Sequence, residues 1–424
     1  MKSNCLNILL YCGLIGLGGC ARAPIRNRDQ AMRPVPVPAL TDDLNLQNLS
    51  KAIRRDLQGL KSKYVSGQLT MRFGPKVVST FRYAEKLQEL LTLLKSVREQ
   101  HSQSSDDQVF AFIKKNFAFY EVYGDRKWGE VFVTGYYEPI LNGSRKKTAK
   151  YSAPILTLPK NSVTVDLPDF ARDGVFGDCK GAKSGPCVIN EVLRGRLVVS
   201  DSGHRVVEPF EPRESLVTSP LIRSQTHVIA WVDPIDEFFL EIQGSGEVDL
   251  RNLNHPKASP DKLFVTYAGQ NGYPYVPIGR FVIGKIPKGQ ITKDRLVDYL
   301  RSLSPAQAQT LMDKNPSYVF FERSKSDART ELGVTATGNR TIATDSRYFA
   351  KGALGYLEFE KPVAGQLTDQ FKLAHRFVLD QDTGGAIRGP GRVDLFFGSG
   401  PNADYESSRM QGYGRLYYLV PKGE

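Results

Sequence analysis

The 424-residue sequence predicts a mainly β fold with flanking helices, of the α+β class. Three observations predict it: helical periods crowd the start of the chain, short β-rich segments follow in two blocks, and a helical interlude separates those blocks. Leu46, Leu49, Ile53, Leu57 and Leu60 recur at three- and four-residue steps and mark a first amphipathic helix. Tyr83, Leu87, Leu90, Leu91, Leu94 and Val97 mark a second. Val109, Phe110, Phe112, Ile113 and Phe117, opened by Asp106 or Asp107, mark a third. From Val131 the texture changes. Val131–Val133, Ala153–Thr157, Val228–Val232 and Phe238–Ile242 are short and β-rich, broken by Gly, Pro and Asp. The interlude runs from Lys293 to Arg301, then through a helix opened by Ser304-Pro305 and stopped at Asn315-Pro316. The second block holds Tyr318–Phe321, Phe377–Leu379, Val393–Phe397 and Leu416–Val420.

The first forty residues predict export. Lys2 precedes a short apolar stretch, Leu6 to Gly19, too short to cross a bilayer as a helix. It reads as a secretory signal. Its end, Leu17-Gly18-Gly19-Cys20, resembles a bacterial lipobox, which implies cleavage after residue 19 and lipid on Cys20. Ala21 in the next position favours the outer membrane, on its periplasmic face, by resemblance to bacterial sorting rules. Residues 20–40 are rich in Pro and Arg, with Pro34, Pro36 and Pro38 alternating, and predict an extended polyproline-like tether without a strand. Cys179 and Cys187 flank a Gly- and Lys-rich turn; in an oxidising compartment they predict a loop-stapling disulfide. Further metal ligands at suitable spacing are missing around them.

The hydrophobic share of 41% suits a globular core, and the net charge of +12 suits an anionic partner. The basic residues are scattered, without the patterns of nucleic-acid modules, so an anionic polymer outside the cytoplasm fits better. The sequence has no P-loop, dinucleotide fingerprint or His-Glu-x-x-His motif. Gln243-Gly244-Ser245-Gly246 lacks the spacing of a nucleophile elbow. Carboxylate chemistry remains. The densest cluster runs from Asp382 to Gly400. Within it, Val393, Leu395 and Phe397 share one face of a strand, and Asp394 and Phe396 the other. Spacing alone leaves two readings open, with Asp394 either in a site or on a solvated strand, and Asp382 capping a turn.

These residues resemble the three-aspartate domain, whose pattern adds an earlier aspartate before a Gly-containing turn, here Asp345 with Gly352 following. Thr134-Gly-Tyr-Tyr-Glu-Pro139, Glu241-Ile-Gln-Gly-Ser-Gly246, Tyr267-Ala-Gly-Gln-Asn-Gly272, Ile278-Gly279 and Asn315-Pro-Ser-Tyr-Val-Phe-Phe321 are similar to motifs of the membrane-bound lytic murein transglycosylase A family. The matches run in order from about Val131 to Tyr418. The resemblance implies a double-psi β-barrel domain, a second smaller inserted β-barrel domain and a sugar-binding groove between them. On that plan residues 1–19 are the signal, 20–40 the tether, 41–130 the helical part of domain one, 131–250 the insert and 251–424 the rest of domain one.

The implied reaction is cleavage of the bond between N-acetylmuramic acid and N-acetylglucosamine in peptidoglycan, leaving 1,6-anhydromuramyl ends. Asp394 would be acid and then base, supported by Asp382 and Asp345. Thr134, Tyr136, Gln243, Ser245, Tyr267 and Asn271 would line the groove, although Tyr136 and Tyr267 also suit barrel packing. The partners expected are glycan strands, the membrane through the lipid anchor, and cell-wall synthesis complexes, with no cofactor or metal. Two other readings stay open: a non-catalytic glycan-binding lipoprotein, and a hydrolase that activates water with Asp382 and Asp394.

Overall fold

The computed structural model describes residues 28–99, 105–124, 127–166, 192–250, 261–287, 291–324, 329–363, 370–384 and 387–423. The signal segment, Cys20, Cys179 and Cys187 lie outside the described residues. The chain begins with strand β1 (Met32–Val35), helix α1 (Leu49–Val65), a hairpin of β2 (Thr70–Phe73) and β3 (Lys76–Ser79), helices α2 (Thr80–Glu99) and α3 (Ser105–Asn116), and strand β4 (Phe117–Val122). All three expected helices form. Their apolar stripes, among them Ile53, Leu60, Leu87, Leu90, Val109 and Ile113, are buried. The stretch expected to be a strandless tether is already strand at β1, which pairs antiparallel with β4 and sets Pro34 opposite Tyr120. β1 is an edge strand, and an edge has an open side where a proline's missing N–H costs no ladder bond.

Next come β5 (Val131–Glu138), β6 (Ile140–Ser144), β7 (Ala153–Leu156), β8 (Ser162–Asp166), β9 (Val192–Val199) and β10 (Arg205–Glu208). Short helices α4 (Arg213–Leu216) and α5 (Pro220–Gln225), strand β11 (Val228–Val232), helix α6 (Pro234–Gln243), and strands β12 (Ser245–Asp249) and β13 (Lys262–Gln270) follow. The expected strand at Phe238–Ile242 is therefore helix. The Asp233 side chain accepts from the backbone N–H groups of Ile235 and Asp236, Pro234 takes the first turn, and Gly244 closes the helix in the left-handed region. Caps at both ends outweigh the β preference of two phenylalanines and two isoleucines. Helices α7 (Lys293–Ser302) and α8 (Pro305–Met312) form as expected, α8 with a reciprocal Ser304–Gln307 capping box. The chain ends with β14 (Val319–Ser324), β15 (Thr341–Ala343), β16 (Ala353–Pro362), β17 (Phe371–Asp382), β18 (Arg392–Ser399), helix α9 (Pro401–Arg409) and β19 (Gln411–Pro421).

The larger sheet runs β1-β4-β19-β16-β17-β15-β18-β5, and β19 also pairs with β5. That pairing closes six strands into a barrel, with β15–β17 and β18–β5 parallel and the other pairs antiparallel. A second six-stranded sheet runs β14-β13-β12-β6-β11-β7. One bridge, Thr157 to Phe321, joins its outer strands, so it too curls into a barrel. Its membership corrects the expected division. β5 belongs to the first barrel, while β13 and β14, beyond residue 250, belong to the second. The chain crosses between sheets at Pro139, which has no N–H to continue a ladder and whose carbonyl accepts from Glu247.

The principal core lies in and around the first barrel, where Leu354, Leu357, Phe377, Val378, Val393, Leu395, Leu416 and Leu419 meet residues from α1 to α3. Polar links lock the segment ahead of α1 onto it. Fully buried Arg340 holds Asp42 with two bonds of 2.6 and 2.8 Å, and Arg376 holds Asp43 at 2.5 and 2.9 Å. Gly135 has a packing reason: a Cβ there would lie 2.6 Å from the Phe397 ring and 2.9 Å from the Ser407 backbone. Its absence lets α9 press on β5 and β18.

Candidate active site

Asp394 sits in the middle of β18, opposite Thr134 of β5 and Ala343 of β15. The two expected faces of that strand are realised. Val393, Leu395 and Phe397 enter the main core. Phe396 joins Tyr136 and Ala336 in a separate small cluster, with the Tyr136 and Phe396 rings 5.1 Å apart. The Asp394 side chain is 17% exposed, and its Oδ1 is 3.5 Å from Arg392 Nε. The Thr134 hydroxyl donates to that same oxygen. Burial pushes the Asp394 carboxyl up, and the charge and hydrogen bonding of Arg392 pull against that rise without cancelling it.

Asp382 ends β17. It accepts from Tyr136 Oη at 2.9 Å and from the backbone N–H groups of Glu331 at 3.1 Å and Thr383 at 2.9 Å. Burial lifts its pKa to about 6, against the opposing pull of these donors and of Lys351. Asp345 behaves in the opposite sense. Burial would raise it, but Arg347 and the Gly389 N–H (2.7 Å) hold it below the ordinary carboxylate range. Gly389 has φ +81°, so Asp345 ties down a glycine-dependent turn just ahead of β18.

The proposed groove residues divide. Tyr267 is 45% exposed; burial raises its phenol while Arg194 and Arg388 act to lower it. Ser245 is buried at the start of β12. The Gln243 side chain accepts from the Tyr137 N–H at 3.1 Å, fastening α6 to β5. Asn271 is a correction. It is 1% exposed, its amide donates to the carbonyls of Glu211 and Pro316, and its oxygen accepts from the N–H groups of Tyr318 and Tyr273. Its polar capacity serves backbone, so it builds the wall without facing a ligand.

Sequence reasoning missed three features. Tyr275 is 36% exposed, and burial raises its phenol against the opposing charges of Arg392 and Arg213. Within the first barrel, Asp380 accepts from Lys351 (2.8 Å), Thr344 (2.6 Å) and Tyr418 (2.5 Å). Behind Asp382, Asp56 of α1 accepts from the Gln381 amide at 3.0 Å, and burial pushes its pKa up to about 7. Asp56 had a signal: it interrupts the apolar stripe between Ile53 and Leu60. A cleft of about 570 Å³ also opens between the barrels, lined by Gln58 and Thr335 on one side and Thr266 and Glu322 on the other. Among the described residues no cluster of three His, Cys, Asp or Glu is arranged to hold a metal ion.

A two-barrel protein with a raised carboxyl on a barrel strand has relatives among known proteins. Residues 132–322 match the MltA specific insert domain and residues 340–420 match the 3D domain. The chain is 25% identical over 307 residues to membrane-bound lytic murein transglycosylase A of Escherichia coli K12, covering 71% of this chain and 68% of that one. It is 29% identical over 190 residues to the Vibrio cholerae protein of the same name, covering 44% and 49%. Among solved structures, the membrane-bound lytic murein transglycosylase from Agrobacterium tumefaciens superposes with a TM-score of 0.67 at 23% identity, over 92% of this chain and 98% of that one. E. coli MltA with bound chitohexaose superposes at 0.63 and 19% identity, over 94% and 98%. The chain belongs to the membrane-bound lytic murein transglycosylase A family.

Proposed function

We propose that this protein is a lytic transglycosylase that cleaves the N-acetylmuramic acid to N-acetylglucosamine bond of peptidoglycan, with Asp394 as its single acid and base. The observation that carries the reading is the Asp394 carboxyl itself: raised by burial, still 17% exposed, and oriented by Thr134. A raised carboxyl holds its proton to higher pH than an ordinary surface aspartate does. It gives that proton to the glycosidic oxygen as the bond breaks, leaving an oxocarbenium-like centre at the muramyl C1. The same carboxylate then takes the proton of the muramyl C6 hydroxyl, whose oxygen closes on C1. Protons balance and no water enters. Two-carboxylate glycosidases need a second group for water or for a covalent intermediate; here the substrate's own hydroxyl fills that role.

Asp345 and Asp382 shape the site, Asp345 through the Gly389 turn and Asp382 through Tyr136 and the 331–332 segment. The E. coli relative has been solved with bound chitohexaose, an oligomer of N-acetylglucosamine, which supports a glycan in the groove. Thr134, Tyr136, Gln243, Ser245 and Tyr267 are the remaining candidates to line it. The relatives are named as membrane-bound; with the lipobox resemblance at Cys20 this supports lipid anchoring on the periplasmic face of the outer membrane. The two barrels are proposed as the two domains, with their strands exchanging near Pro139 and after Ser324.

One observation favours a second reading. Asp382, with a pKa of about 6, has the character of a second titrating carboxyl and suits a water-using hydrolase. Digestion of purified peptidoglycan with the soluble protein, followed by mass analysis, separates the two. The transglycosylase leaves anhydromuramyl ends, one water lighter than the reducing ends of a hydrolase. Reducing ends alone would overturn the proposal.

A further inference from the structure

The helical side of the first barrel exposes apolar side chains that bond cleavage does not use. Helix α1 ends at Val65, and the turn after it leads into the β2–β3 hairpin, which returns the chain to the start of α2. Thr80 ties the two ends of that hairpin together, donating its N–H to the Leu69 carbonyl and its hydroxyl to the Gln68 carbonyl. Tyr64, Val65, Leu69, Val77 and Phe81 stand exposed along this path. Val65, at 77%, is the most exposed large hydrophobic residue among those described. The rings of Tyr64 and Phe81 lie 6.1 Å apart, so the end of α1 and the start of α2 share one apolar patch. Single exposed apolar side chains are ordinary, whereas a grouped set marks a contact surface. Asp394, Asp382 and Thr134 lie on other elements, β18, β17 and β5.

Two observations say what covers this patch. The first is where the chain enters the fold. Arg28 donates to the carbonyls of Arg347 at 2.9 Å and Ser346 at 3.3 Å, and Asp29 accepts from Arg72 of β2 at 2.9 Å. Arg72 stands opposite Val77 in the hairpin register. A Cβ on Gly74, between the two strands, would lie 3.0 Å from the Met32 carbonyl oxygen and 3.4 Å from that of Asp29. The entering chain therefore runs against the hairpin that carries the patch. From Cys20 to Arg28 is a step of eight residues, which spans at most about 30 Å when fully extended. A lipid on Cys20 would hold the hairpin within that distance of the bilayer.

The second observation is charge. Residues 61–82 contain five basic residues, Lys61, Lys63, Arg72, Lys76 and Arg82, and no Asp or Glu. Lys61, Arg72 and Arg82 are exposed, while Lys63 turns inward to the Lys351 carbonyl. Glu85, one turn beyond Phe81, is the first acidic residue after them. Arg22 and Arg26 add two cations to the entering segment. Cations around an apolar patch match a surface of anionic headgroups over hydrocarbon. We propose that Tyr64, Val65, Leu69, Val77 and Phe81 form a membrane-contact surface that seats on anionic phospholipid and fixes how the protein stands on the bilayer. The inference rests on the lipid-anchoring reading for the protein's place at the membrane, but the contact itself needs no lipid on Cys20.

The test uses the chain from Ala21 onward without lipid, which keeps every described residue, and its cosedimentation with vesicles. One set holds phosphatidylglycerol and phosphatidylcholine at about one to two, the other phosphatidylcholine alone. Binding to the anionic vesicles is expected to be about tenfold or more tighter, the size that a few surface cations supply, and the difference should shrink as salt rises. Val65→Ser/Leu69→Ser/Phe81→Ser should weaken anionic binding about tenfold and leave the melting temperature and the digestion of peptidoglycan unchanged. Leu197→Ser/Val199→Ser/Val207→Ser, which removes as many exposed apolar side chains from β9 and β10, should leave binding unchanged. Equal loss in the two variants, equal binding to the two vesicle types, or no binding to either overturns the surface; the last would hand the patch to a protein partner. Should the first variant melt early, Phe81→Trp reads the same contact. Its emission, taken as the difference from the parent, should shift to the blue on anionic vesicles, and an unchanged spectrum overturns the contact. An unacylated Cys20 in the full protein would overturn the lipid-anchoring reading, and vesicle binding would still decide this one.

Discussion

In the inserted barrel, buried Glu241 meets Arg213 through two bonds of 2.8 and 2.6 Å and also accepts from the Val319 N–H. Its neighbour Glu237 is pushed far above the ordinary range by burial and by the charge of Glu241. Glu237 also lies 3.8 Å from Arg213, whose guanidinium packs between the rings of Phe238 and Tyr318. On strands of the first barrel, Asp394 and Asp382 are partly buried among hydroxyl and amide donors, with Arg392 only grazing Asp394 at 3.5 Å. The difference is one of neutralisation. A carboxylate clasped by a guanidinium is fixed as an anion and holds structure. A carboxyl lodged among neutral donors keeps its proton within reach, as an acid catalyst must.

The largest expected effect comes from breaking the clasped side. Arg213→Met should strand Glu241 without its partner and cost about 3–5 kcal/mol, read by urea unfolding; a loss below about 1 kcal/mol would show that the clasp is not structural. Next is Asp56, half-way between the two cases. Its pKa rises from the ordinary 3.8 to about 7 in the fold, so the folded state binds the extra proton and stability should fall as pH climbs between those values. Asp56→Asn should abolish that slope and gain on the order of 2–4 kcal/mol at pH 8, measured as melting temperature across pH.

Smaller effects sharpen the site around Asp394 and Asp382. Arg392→Gln removes the charge that lowers Asp394, so the alkaline fall of kcat/KM should move to higher pH. Tyr136→Phe removes a donor that lowers Asp382; its pKa should climb above about 6, and the alkaline fall should move by less than about half a unit. A larger move with Tyr136→Phe than with Arg392→Gln would transfer the acid role to Asp382.

Much of this was legible in the sequence. Periodicity located α1, α2 and α3, the Ser304-Pro305 start and Asn315-Pro316 stop located α8, and strand alternation assigned the two faces around Asp394 correctly, because these signals depend only on neighbouring residues. Phe238–Ile242 was misread since its caps, Asp233 and Gly244, lie outside the apolar run that drew attention. Pro34 was misread because a strand's place at a sheet edge is a property of the whole topology. The Arg340–Asp42 and Arg213–Glu241 pairs join residues 298 and 28 positions apart, and no local pattern announces such partners. Asn271 looked like a sugar ligand by type, and only the backbone groups around it reveal what it serves.

The most direct test places Asp394→Asn beside Asp382→Asn on the same peptidoglycan, after circular dichroism and melting curves establish that both fold, and follows anhydro-muropeptides by mass. The account predicts that Asp394→Asn lowers the rate by about 10²–10⁴-fold, while Asp382→Asn keeps part of the activity with the same products. Loss of activity in Asp382→Asn together with its survival in Asp394→Asn would contradict it.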